Sequence, residues 1–148
     1  MKVRIEAVHP EKIDEIVAIE NDCMPVPWLR QDLLECALAK DKLYLCAIVD
    51  NRVVGYAGLW QTLLEGHVTN LAVHPSFQRK GIASLLLTKL LDAGVSRGIT
   101  KFILEVRESN HAAISLYERF GFQVTGIIKG YYYDNGEDAL TMALQKSK

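Results

Sequence analysis

Glu105 is the one acid in an otherwise apolar stretch, KFILEV, at residues 101–106. A carboxylate among aliphatic neighbours is costly unless it is paired or put to use. Two uses fit. It can end the strand in an ion pair with Arg107 or Lys101, or it can act as a general base, taking a proton directly or through water. Further on, Asn110 and Tyr117 lie seven positions apart in NHAAISLY, two helical turns, with Ile114 between them. They therefore share one side of a helix. Asn110 suits an N-cap as well as a hydrogen bond to a ligand. Tyr117 suits packing as well as acid catalysis, because a phenol with a pKa of about 10 stays protonated at neutral pH and can donate.

A different chemistry is written in HPSFQRKGIASLLLTKLL, residues 74–91. Gly81 removes a side chain where a helix should begin, Ala83 leaves only a methyl, and Arg79 and Lys80 add positive charge. A helix N-terminus offers free N–H groups and a partial positive charge, both suited to phosphate. The same stretch also reads as an ordinary loop-to-helix turn with solvated charges. It is neither GxxxxGK[ST] nor GxGxxG.

These residues need elements to hold them. Val3, Ile5 and Ala7 alternate with charges, which predicts a half-buried strand. Ile13, Ile16, Val17 and Glu20 follow helical spacing, with Glu20 at the edge of the apolar face; Pro25 and Pro27 end that helix. LRQDLLECALAK predicts a second helix. LYLCAIV and VVGYAGLWQTLL, joined by Asp50-Asn51, predict an antiparallel hairpin, and HVTNLAV a further strand. Residues 81–98 predict a helix with Ile82, Leu86, Leu90 and Ala93 on its apolar face and Gly98 as a left-handed stop. KFILEV reads as a central strand, apolar on both faces. HAAISLYERF is a helix capped by Ser109 or Asn110 and stopped at Gly121, and a last strand pair turns around Asp134-Asn135-Gly136. The order is strand, two helices, three strands, helix, strand, helix, two strands. It predicts an α/β layer with a mixed sheet and a right-handed parallel crossover from Val68 to Val106.

The 148 residues suit a single domain, 1–148, and the hydrophobic share of 49% is that of a globular chain. A formal charge of -1 gives no basic field for nucleic acid or an anionic membrane, and no apolar run approaches a membrane span. MKVRIEAVHPEK lacks the apolar core of a signal peptide, so a cytoplasmic address is expected. Cys23, Cys36 and Cys46 are an odd, widely spaced set and are expected to be reduced and mostly buried. The four histidines show no metal-ligand spacing, and no metal is expected.

NLAVHPSFQRKGIASLLL resembles the acyl-CoA-binding core of the GNAT acetyltransferase superfamily, whose signature is Q/R-x-x-G-x-G/A; Gln78, Arg79, Lys80, Gly81, Ile82 and Ala83 fill it. PWL after the first helix, LEVRESNHAAISLYERFGF and GYYYDNGEDALTMAL look like the bacterial ribosomal-protein-alanine N-acetyltransferase branch. The resemblance implies a mostly antiparallel, seven-stranded mixed sheet flanked by helices, with a splayed parallel central strand pair. It implies that acetyl-CoA enters that gap, its pantetheine pairing with the backbone of Leu71, Ala72 and Val73. The diphosphate would then lie on residues Gln78 to Ser84, and Asn110 would bond the pantetheine.

By the same resemblance Glu105 is the general base and Tyr117 the acid that protonates the departing thiolate. His67 and Thr69 are candidates to assist the base. Trp28, Tyr131, Tyr132 and Tyr133 are candidates to shape a peptide groove, and Glu20 to receive the substrate amine. The implied acceptor is a protein N-terminal α-amine, the N-terminal alanine of a small-subunit ribosomal protein. No Cys lies in a motif that argues for an acyl-enzyme. Two alternatives stand beside it: a small-molecule amine or lysine as acceptor, and a non-catalytic acyl-CoA-binding module.

Overall fold

A computed structural model describes residues 1–146 of the chain. Its elements follow the predicted order: β1 (Arg4–Ala7), α1 (Ile13–Cys23), α2 (Arg30–Leu38), β2 (Lys42–Val49), β3 (Arg52–Thr62), β4 (Glu65–Val73), α3 (Ile82–Ser96), β5 (Lys101–Arg107), α4 (His111–Arg119), β6 (Gln123–Tyr132) and β7 (Glu137–Gln145). Local chemistry explains the joints. Asp50 and Asn51 both take positive φ, 50° and 64°, the geometry whose twist matches a two-residue hairpin. Gly98 and Gly121 end α3 and α4 at φ 89° and 98°.

The strands form one sheet in the order β1-β2-β3-β4-β5-β7-β6. Every neighbouring pair is antiparallel except β4 and β5. That parallel pair is short. Glu65, Gly66 and His67 face Lys101, Phe102 and Ile103, and the register stops there. Beyond it β4 stays paired to β3 as far as Val73, and β5 stays paired to β7 as far as Arg107. A bulge sits where the strands part: Gly58 faces Asn70 and Leu59 faces Val68, so Thr69 is left without a partner. An extra residue bends and twists its strand, and here it turns β4 away from β5.

Helices cover both faces. On one, Leu86, Leu87 and Leu90 of α3 pack with Phe102, Leu104 and Val106 of β5 and with Met142. The apolar face of α3 is wider than Ile82, Leu86 and Leu90, because Leu87, Leu91 and Gly94 are buried too while Ala93 is only half-buried. On the other face, Ile13, Ile16, Ile19, Leu33 and Cys36 of α1 and α2 pack with Tyr44, Cys46 and Tyr56. That cover does not extend over β5. Phe102, Leu104 and Val106 are buried, but Ile103, Glu105 and Arg107 on the opposite face are half-buried. The expectation of a strand apolar and enclosed on both faces is therefore corrected: β5 is sealed on the α3 side and open on the other. Cys36 and Cys46 are buried and Cys23 half-buried, all free thiols.

Candidate active site

The carboxyl ends of the parting strands lie together, the usual location of a ligand crevice beside parallel strands. The end of β4 runs into the Gly81 loop, and the end of β5 runs into Asn110 and α4. Val73 closes β4 with its carbonyl turned to side chains: it accepts from Gln78 Nε2 at 3.0 Å and from Cys23 Sγ at 3.3 Å. Gln78 thus folds the loop back on the strand. His74 Nδ1 accepts from the Ser76 N–H at 3.1 Å and holds the following turn. Arg79 and Gly81 both take positive φ, 62° and 82°.

Gly81 caps α3 without any side-chain acceptor, and the first helical bond runs from Leu85 N to Gly81 O at 3.1 Å. The N–H groups of Ile82, Ala83 and Ser84 therefore have no helical partner. A Cβ on Gly81 would meet nothing within 4 Å, so space lies open in front of them. Free N–H groups, the helix dipole, and exposed Arg79 and Lys80 fit a diphosphate. Leu71 is half-buried and Ala72 and Val73 are buried, so their side chains serve the core while the backbone edge of β4 past His67 is free of β5. Asn110 is the N-cap of α4, its Oδ1 accepting from Ala113 N at 3.2 Å, with Ser109 outside that role.

Glu105 finds a partner that its own strand could not reveal. His67 Nε2 lies 2.8 Å from Glu105 Oε1, reaching diagonally past the last paired rung of β4 and β5, His67–Ile103. The two alternatives named from sequence do not occur: Arg107 turns to Asp134 and Glu137, and Lys101 is exposed. The carboxylate side chain keeps 20% of its surface and the imidazole 37%, so the pair, at the closed end of the gap, keeps solvent access. The bond to Glu105 raises the His67 pKa above its ordinary value, against a lowering by burial. Tyr131 lies near Glu105; its phenol is pushed up by burial and then by the Glu105 charge.

Tyr117 lies on the inner face of α4, edge-on to Phe122 at 5.6 Å between centroids. Burial pushes its phenol up to about 12, with the neighbouring Tyr132 adding to it. Its hydroxyl has no hydrogen-bond partner among the described residues, and no fully buried side-chain oxygen there lacks one, so this oxygen reaches the surface.

Glu20 is placed otherwise than expected. It is 1% exposed. Oε1 accepts from the Tyr56 hydroxyl and Oε2 from the Trp28 N–H at 2.9 Å. Both oxygens are engaged inside the protein, so Glu20 anchors the turn after α1 and offers no surface to an amine. Burial, then the Glu20 charge, hold the Tyr56 phenol far above its usual range, keeping it a donor. The network continues to the bulge. Asn70 Nδ2 donates to Tyr56 at 3.2 Å, Tyr44 donates to Asn70 Oδ1 at 2.9 Å, Thr69 donates to the same oxygen at 2.7 Å, and Trp60 Nε1 donates to Tyr44 at 2.9 Å. Gly58 permits it, because a Cβ there would fall 2.1 Å from the Tyr44 ring. Thr69 is thus tied into the bulge and, among the described residues, makes no hydrogen bond to Glu105.

Trp28 packs edge-on against Trp60, 5.9 Å between centroids, and both line a cavity of about 690 Å³ with Pro27, Leu29, Asp32 and Tyr133. The tyrosine run divides. Tyr131 faces Glu105, Tyr132 lies under the Arg107 guanidinium at 4.0 Å, and Tyr133 reaches the cavity. Of these candidate groove residues, Tyr132 is the one stacked against Arg107, and Tyr133 is the one that lines the cavity. Trp60, Tyr56 and Arg107 were not singled out from sequence as functional; the one available signal was Asn70, a lone amide in an apolar strand.

The model of the acetyltransferase (GNAT) family matches residues 13–122. The chain is similar to the [ribosomal protein bS18]-alanine N-acetyltransferase of Haemophilus ducreyi, 38% identical over 144 residues that cover 95% of this chain and 98% of that one. It is similar to an N-alpha-acetyltransferase of Saccharolobus solfataricus, 35% identical over 146 residues covering 90% and 87% of the two chains. Among solved structures, the ribosomal-protein-S18-alanine N-acetyltransferase from Escherichia coli superposes with a TM-score of 0.92 at 32% identity, covering 99% of this chain and 96% of that one.

Proposed function

From the premise that this chain belongs to the GNAT acetyltransferase family, we propose that it transfers acetyl from acetyl-CoA to a protein N-terminal α-amine, the N-terminal alanine of a small-subunit ribosomal protein. The observation that carries the reading is the parting of β4 and β5, with the Glu105–His67 pair at its closed end and unpartnered α3 N–H groups at its open end.

The cosubstrate supplies a thioester, whose carbonyl carbon accepts an amine. The N–H groups of residues 82–84, with Arg79 and Lys80, hold its diphosphate; the free edge of β4 from Leu71 to Val73 aligns its pantetheine arm, assisted by the Asn110 amide. Glu105 takes the proton from the attacking amine, directly or through water. His67 fixes the carboxylate by its hydrogen bond. Tyr117 returns a proton to the leaving sulfur, and a phenol held at about 12 remains a donor throughout the neutral range. The acceptor peptide lies between the turn carrying Trp28 and the end of β6 carrying Tyr131 with the adjoining β6–β7 loop carrying Tyr133.

The choice of acceptor eases the chemistry. An α-amine with a pKa near 8 is roughly one-tenth neutral at pH 7, whereas a lysine near 10.4 is neutral in only about one copy in a few thousand. The difference is roughly 3 kcal/mol of driving force that the base need not provide. A peptide-library acetylation assay read by mass spectrometry tests the reading. Acetylation of alanine-starting peptides, abolished by blocking the N-terminus and absent on lysine side chains and free amines, is expected. Acetylation of lysines or small amines in preference would redirect it, and acetyl-CoA binding without free-thiol release on any amine would overturn it.

A further inference from the structure

Arg107 follows the base by two positions on β5 and shares its half-buried face. It stands opposite Ala139, at the last rung before the β6–β7 loop. Its guanidinium spends nearly all its donors on that loop. Nη2 reaches both oxygens of Asp134 at 3.1 Å, and Nη1 reaches Asn135 Oδ1 at 3.3 Å and Glu137 Oε1 at 3.5 Å. The plane lies over the Tyr132 ring at 4.0 Å, and the side chain keeps 18% of its surface. A planar fork that both pairs carboxylates and stacks on an aromatic is a task lysine cannot reproduce.

The loop has little else to hold it. Tyr133 is 83% exposed, and Gly136 stands at φ 74° with no atom within 4 Å of a Cβ position. Its internal bonds are Gly136 N to Tyr132 O at 2.7 Å, Glu137 N to Asn135 Oδ1 at 2.9 Å and a long one from Asn135 Nδ2 to Glu137 Oε1 at 3.4 Å. Glu137 in turn accepts from Ser109 N at 2.8 Å, which links the loop to the turn that starts α4. Tyr132, pinned beneath Arg107, has Tyr131 on one side facing Glu105 and Tyr133 on the other reaching the Trp28–Trp60 cavity.

We propose that Arg107 is a positioning residue for the acceptor: by clamping Asp134 and Glu137 and stacking on Tyr132, it sets where Tyr131 and Tyr133 stand relative to the base. This rests on the reading of that groove as the acceptor site. The test combines steady-state kinetics on an alanine-starting peptide, acetyl-CoA calorimetry and amide hydrogen exchange on the whole chain. Arg107→Ala should raise the acceptor KM roughly tenfold, a misplacement effect, with acetyl-CoA affinity held within about twofold. Arg107→Lys should recover only part of it. Asp134→Ala, a milder change, should move KM in the same direction, and the double variant should be little worse than Arg107→Ala alone. Exchange at the Gly136 and Glu137 amides should quicken in every variant. Unchanged exchange at those amides would overturn the assignment. So would a loss shared equally by acetyl-CoA affinity and acceptor KM. If the wild-type protein acetylates no peptide N-terminus, the functional reading falls by itself, and the exchange comparison still decides whether Arg107 holds the loop.

Discussion

Removing one oxygen from Tyr56 strikes the buried network that joins the turn after α1 to the bulge in β4. Tyr56 is fully buried, donates to Glu20 and accepts from Asn70. Tyr56→Phe keeps the ring and its packing, so no cavity opens. A hydrogen bond to a carboxylate contributes about 1.5–3 kcal/mol, and stranding the Asn70 N–H costs about 1–3 kcal/mol more. The expected loss is about 3–5 kcal/mol, a large part of a typical ~5–15 kcal/mol, so the variant folds but is fragile. Its melting temperature should fall roughly 6–20 °C. Urea unfolding followed by tryptophan emission reads this directly, and an unchanged slope would assign the loss to the native state. Trp28 keeps its bond to Glu20, but Glu20 has lost its second donor. The acceptor KM should therefore rise several-fold at unchanged acetyl-CoA affinity, on the order of the weakening of one such anchor. A loss below about 1 kcal/mol with an unaltered acceptor KM would refute the view that this network holds the groove wall.

Glu105→Gln should lower kcat by roughly 100-fold or more with acetyl-CoA affinity nearly intact, since general base catalysis commonly supplies that much; unchanged turnover across pH would remove Glu105 from proton transfer. Tyr117→Phe should slow thiol release, measured by a thiol-reactive dye, and full activity would reduce it to packing against Phe122. His67 carries a raised pKa because its charged form is held by Glu105. Protonated His67 competes with the amine for that carboxylate, so kcat should rise as pH climbs through a midpoint above the ordinary histidine value, and His67→Asn should flatten that limb. The same raised pKa makes the pair's contribution to stability complete below about pH 6.5 and lost as pH rises through the folded value, which the pH dependence of melting will show.

Local pattern made most of the architecture readable. Period-two and period-3.6 stretches marked the elements in their order, and Gly81, Gly98, Gly121 and the Asp50-Asn51 pair marked the joints, because positive φ is a property of few residue types. The Gly81 loop, proposed to hold the diphosphate, was equally legible as a turn before a helix, being one contiguous segment. Partners distant in sequence were not. His67 and Glu105 are 38 positions apart and meet only through the β4–β5 register. Glu20 lies at the edge of an apolar face, and its burial is decided by Tyr56, 36 positions away, and by Trp28 folding back over it. Strand alternation separates Tyr132 from Tyr131 and Tyr133, but the partner of Tyr132, Arg107, comes from another strand and could not be read from the run.

A crystal structure with acetyl-CoA bound tests the central claim most directly. It should place the pantetheine arm between β4 and β5 beyond His67, the diphosphate on the N–H groups of residues 82–84, and the thioester within reach of both Glu105 and Tyr117. A ligand bound elsewhere, with β4 and β5 zipped together past His67, would contradict it.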